Sequence, residues 1–149
     1  MTQPQIPDTR RPAYGLGRVL ILMYGIFALA ATARSTVQLI RDAEAAPVAY
    51  GLSAFSAVVY VVATVALAHN GRRMRRVAWT AVLVELTGVL TVGALSIMRP
   101  DLFPDETVWS LFGSGYFHVP LVLPVLGIIW LWRSAPSRID RLAESQPRA

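Results

Sequence analysis

The chain contains no cysteine and no lysine; all 14 of its positive charges are arginine. Without cysteine there are no disulfides, no thiolate metal sites and no lipid-modified thiol. Charge of either sign is scarce: charged residues make up 15% of the chain, while 54% is apolar. Its 149 residues leave room for one domain. A soluble domain of that size cannot hide so much apolar surface, so lipid must cover it. Motifs are scarce too. There is no His-Glu-x-x-His pattern and no Gly-rich phosphate loop. Ser110 and Ser114 have no evident base and acid around them, and His69 and His118 fall at opposite ends of the expected fold. No catalytic residue, metal or cofactor is therefore expected. The net charge of +5 does not point to nucleic acid, because the arginines flank apolar stretches instead of lining one amphipathic face.

What is present is a sorted pattern of arginine. Arg72, Arg73, Arg75 and Arg76 crowd one connection between apolar stretches. Arg10, Arg11 and Arg18 precede the first stretch, and Arg133, Arg138, Arg141 and Arg148 follow the last. Arg34, Arg41 and Arg99 fall on the other side. Eleven against three is the asymmetry of a multi-pass protein of a bacterial inner membrane with both termini in the cytoplasm. Anionic lipid headgroups are the expected partners of the cytoplasmic arginine cluster.

The expected fold is all-α: four antiparallel transmembrane helices at about 13–40, 48–68, 77–98 and 116–132. Residues 1–12, rich in proline, form a disordered cytoplasmic tail, and 134–149 form another. The first span has only fifteen uncharged residues, Val19 to Ala33, between Arg18 and Arg34. One of these arginines must lie near lipid depth and snorkel outward. A signal peptide is the competing reading: Thr9-Arg10-Arg11 loosely resembles a twin-arginine signal, and Ala31-Thr32-Ala33 has the form of a cleavage site. Asn70-Gly71 supplies the turn between the second and third spans. Phe103-Pro104-Asp105-Glu106 reads as a helix start with Asp105 as N-cap. Thr107 to Phe112 then forms a short external interfacial helix, with Trp109 at headgroup level. Pro120 and Pro124, inside the last span, predict a kink or a close neighbour. Trp130 and Trp132 form an aromatic belt at its end.

Two groups of residues draw the eye. Glu85 lies about eight residues inside the third span, roughly 12 Å from its cytoplasmic end. A carboxyl in hydrocarbon is costly and normally faces the bundle interior. Its helical face carries the small residues Ala78, Ala81, Gly88 and Ser96, suited to a close helix seam. A partner must come from another helix. Arg34 is ~10 Å out of register, whereas Tyr24 and Tyr60 lie at nearer depth. Glu85 is a packing device, a proton or substrate site, or a contact with a partner subunit. The second group is external: Arg34, Gln38 and Arg41 on one face of the first helix, with Asp105, Glu106, Tyr116 and His118 from the other external segment. It is either a set of interfacial polar contacts or a pocket in which Arg34 meets a phosphate or carboxylate.

Several segments resemble a family of small four-helix integral membrane proteins of actinobacteria. They are Ala31-Thr32-Ala33-Arg34-Ser35, Tyr50-Gly51-Leu52-Ser53-Ala54, Val84-Glu85-Leu86-Thr87-Gly88, the run Phe103 to Ser110, Gly113-Ser114-Gly115-Tyr116, and Val119 to Gly127. The resemblance covers about residues 13 to 133. It implies a fold and an inner-membrane address, and assigns no reaction, cofactor or site. Total use of arginine over lysine fits a GC-rich genome of that kind. With no catalytic motif, the leading expectation is a non-catalytic accessory or assembly component of a larger membrane complex, or a homo-oligomer. The alternative is a small proton-linked transporter or lipid-handling protein using Glu85 and Arg34.

Overall fold

The computed structural model describes residues 15–69, 71–137 and 144. The tail at 1–12, Asn70 and most of 134–149 lie outside them. The described residues are helical with no strand: α1 (Leu16–Asp42), α2 (Pro47–Ala68), α3 (Arg72–Met98) and α4 (Val119–Arg133). Short 3₁₀ turns occupy Pro100–Leu102 and Ser110–Tyr116. Each helix packs on its chain neighbours, and α4 closes back on α1.

The three long helices carry large apolar residues on their outward faces as well as on their buried ones. On α1, Leu20, Tyr24, Phe27 and Ala31 are buried, while Leu22, Ile26 and Leu29 face outward. Buried positions on α2 and α3 are often alanine (Ala57, Ala63, Ala66, Ala78, Ala81), which lets backbones approach closely. Pro47 opens α2, where its missing N–H costs nothing. Arg99, which precedes Pro100, ends α3. α1, α2 and α3 are each long and apolar enough to cross a membrane. α4 has 15 residues, ~22 Å, short of the ~30 Å of a hydrocarbon core. It qualifies as a fourth span only when joined to Ser110–Tyr116, which meets it at 99°.

Four local expectations are corrected. The Arg72–Arg76 cluster is not a loop: α3 begins at Arg72, with Gly71 at φ +132° before it. No helix starts at Asp105. Residues 107–110 instead form a tight turn locked by side chains. Thr107 N donates to Ser110 Oγ at 2.9 Å and Trp109 N to Thr107 Oγ1 at 3.2 Å. Trp109 is not a headgroup anchor; it is 1% exposed. Pro120 does not kink a helix, because it lies in the first turn of α4, leaving Pro124 as the interior proline.

Leu111, Phe112 and Gly113 then run left-handed, and Phe117 and His118 do so again just before α4. Such conformations cost about 1–2 kcal/mol per non-glycine residue. Contacts with α3 offset the cost. Leu111 N donates to Ser96 Oγ at 2.8 Å. Trp109 and Phe112 pack against Gly88 and Gly93, where any Cβ would collide with the rings. The segment is thus a cap folded into one end of the bundle.

Candidate functional site

The bundle core is built around Glu85, which is 0% exposed. Tyr24 of α1 donates its hydroxyl to Glu85 Oε2 at 2.6 Å. The Tyr60 hydroxyl of α2 faces the same carboxyl, and Glu85 Oε1 has no partner in good hydrogen-bond geometry. Trp109 Nε1 donates to the Tyr60 hydroxyl at 3.0 Å. An indole N–H can only donate, so the Tyr60 oxygen is committed as its acceptor and the Tyr60 proton is free to turn toward Glu85. Two helices and the cap thus converge on one carboxyl. From α4, Gly127 closes over Tyr24; a Cβ there would lie 3.3 Å from the Tyr24 hydroxyl. The sequence paired Glu85 with Tyr24 and Tyr60 by depth, and the structure brings all three together. Arg34 does not reach this centre: it lies ten residues beyond Tyr24 on α1, ~15 Å along the axis.

Aromatic rings fill the space between the two levels. Tyr24 stands 6.2 Å from Tyr60, Tyr60 is 5.5 Å from Phe27, and Phe27 is 5.8 Å from Tyr116. Tyr116 ends the series at Arg34, whose Nη1 donates to the Tyr116 hydroxyl at 3.1 Å. Arg34 Nη2 donates to the Glu106 carbonyl. Of the expected external cluster, then, Arg34, Tyr116 and the Glu106 backbone meet. Asp105 does not join them; Tyr50 donates to its Oδ2 at 2.5 Å. Gln38, one turn beyond Arg34, is half-buried with an unpartnered Oε1, whereas Arg41 and His118 are exposed.

At the Arg-rich end, Arg75 does work that the sequence reading assigned to lipid. Its Nη1 donates to the Ser134 carbonyl at 3.2 Å and to Ser134 Oγ at 3.3 Å, and its Nη2 to the Leu131 carbonyl. These groups end α4, so Arg75 caps a neighbouring helix at the pole where a cation is favoured. Arg72, Arg73 and Arg76 remain exposed.

Trp109 and Arg75 are the residues that sequence reasoning misplaced. Gly88, one turn from Glu85 on the same face, was the available sign of the first: a gap beside a carboxyl calls for a large donor. Nothing in the sequence marks Arg75 apart from its three neighbours. Among the described residues, no group of three or more His, Asp or Glu side chains is placed to hold a metal ion. Comparison with protein-family models, curated proteins and solved structures finds no match to this chain.

Proposed function

We propose that this chain is a multi-pass protein of a bacterial inner membrane, with four antiparallel spans and both termini in the cytoplasm. The fourth span is α4 completed by the folded cap. Its role is non-catalytic: an accessory or assembly subunit packed against a larger membrane complex. The observation that carries this reading is the sealed polar centre. Glu85, Tyr24, Tyr60 and Trp109 are each at most 1% exposed. Polar groups so enclosed have no substrate to meet, and they fix how α1, α2, α3 and the cap fit together. The outward faces of the long helices offer apolar contact to lipid or partner helices instead of chemistry.

The test is purification of the tagged chain from its native host in a gentle detergent, with mass spectrometry of retained protein and lipid. A stoichiometric larger complex is the expected result. A lone homo-oligomer with one specific solute would overturn it.

One observation favours a second reading, a proton-linked transporter: Glu85 Oε1 is buried without a partner. That reading requires Glu85→Gln to abolish transport at unchanged abundance, because glutamine keeps the volume and cannot exchange a proton. Under the accessory reading the same change is nearly silent.

A further inference from the structure

Arg34 sits about 12 Å inside the end of α1, and beyond it Val37, Leu39 and Ile40 are exposed and apolar. A half-buried guanidinium on an apolar helix is met by a carboxylate or by backbone carbonyls. Among the described residues, no carboxylate lies within 4.0 Å of Arg34. The nearest candidates are engaged or turned away. Asp105 accepts from Tyr50, and the Glu106 carboxylate lies toward Gly115. Arg34 contacts only neutral acceptors, the Glu106 carbonyl and the Tyr116 hydroxyl. Two of its five N–H groups are used, and three remain.

We propose that Arg34 and Tyr116 form a binding site for a phosphate group, carried by an anionic lipid headgroup or free in solution. The guanidinium fork matches two phosphate oxygens. The Tyr116 oxygen accepts from Arg34, so its own proton remains as a further donor. Phe27 holds the Tyr116 ring edge-on at 5.8 Å, which fixes that donor before any ligand arrives. One turn along the same face, half-buried Gln38 has an unpartnered Oε1 and an amide N–H₂ that adds two donors to the same level. Ile26, Ala30 and Val37, beside Arg34 on α1, are exposed and apolar, and they offer a bed for an acyl chain. This site rests on the membrane placement proposed above and adds a ligand to it.

The test uses the full chain, extracted from membranes in mild detergent and titrated with phosphatidylglycerol or phosphatidylcholine under native mass spectrometry. Recovery of the unaltered chain in the soluble fraction would overturn the membrane reading before any lipid is added. Phosphatidylglycerol should bind preferentially, and Arg34→Gln should weaken it about tenfold. A triple change of Arg72, Arg73 and Arg76 to Gln should leave that preference intact. Glu106→Gln removes a nearby negative charge and should tighten binding, an effect no purely structural role for Arg34 would produce. Tyr116→Phe keeps the ring on Phe27 and should weaken binding a few-fold at unchanged melting temperature, so the test stands even if Arg34→Gln fails to fold. Competition by excess inorganic phosphate assigns the site to phosphate itself; indifference to it assigns the site to the lipid. Equal phosphatidylglycerol binding by the unaltered chain, Tyr116→Phe and Glu106→Gln would overturn the proposal, as would loss of the preference in the Arg72, Arg73, Arg76 variant.

Discussion

Glu85 and Arg34 are two charged residue types on span-length helices, and the fold treats them by one rule with different outcomes. Each is met by neutral dipoles instead of a counter-ion. Glu85 receives a donor, the Tyr24 hydroxyl, while Arg34 receives acceptors, the Glu106 carbonyl and the Tyr116 hydroxyl. Around Glu85 the dipoles are sealed in by Trp109 and Gly127. Around Arg34 they are not, and three N–H groups stay open. A group enclosed on all sides meets only its packing neighbours. The same kind of group left open on one side retains a field that an outside anion can answer.

The sharpest way to break this contrast is to unseal the Glu85 side. Trp109→Ala removes a fully buried indole and the donor to Tyr60, and should cost about 3–5 kcal/mol, read as loss of folded protein in detergent. Glu85→Ala comes next, at roughly 2–4 kcal/mol, because it opens a cavity and orphans the Tyr24 hydroxyl. Glu85→Gln should cost under about 1 kcal/mol, since its amide oxygen still accepts from Tyr24. If glutamine proves as damaging as alanine in a thermal melt, the centre needs its acid and the packing role fails. Arg75→Ala should cost about 1 kcal/mol by freeing the carbonyls at the end of α4, with Arg73→Ala silent beside it. Smallest of all is the exposed Arg99–Asp101 pair at 2.8 Å. Arg99 holds the Asp101 carboxyl below its usual range, so the pair stabilises above that range and is lost as acid protonates Asp101. Solvent screens it, and Asp101→Asn should leave the melting temperature unmoved at neutral pH.

Much of the Glu85 site was legible in advance. Helical rise alone puts Tyr24, Tyr60 and Glu85 at similar depth, because helix geometry converts residue number into distance along an axis. The Arg34 rim was only half legible. Arg34 and Tyr116 do meet, but Asp105 goes to Tyr50 and His118 to the surface. Those residues sit on connections, where no fixed rise links sequence spacing to position. The cap was misread for the same reason. Its Pro104-Asp105-Glu106 start fits an interfacial helix, yet four non-glycine residues in it take left-handed backbones. Contacts with α3 offset that strain, the Leu111 N–H on Ser96 Oγ and the rings laid on Gly88 and Gly93, and they are made across fifteen or more residues of chain.

The sequence by itself determined an all-helical chain with at least three apolar helices of membrane-crossing length, and it singled out one carboxyl and one guanidinium within those apolar runs. Composition and helical rise suffice for that, being local properties of the chain. The tertiary structure decided which arginine caps a helix and which stays free, and where Trp109 goes. It also decided that α4 is too short to span without the cap. Each of these depends on what the neighbouring helix presents at the point of contact, and no local property of the chain encodes that.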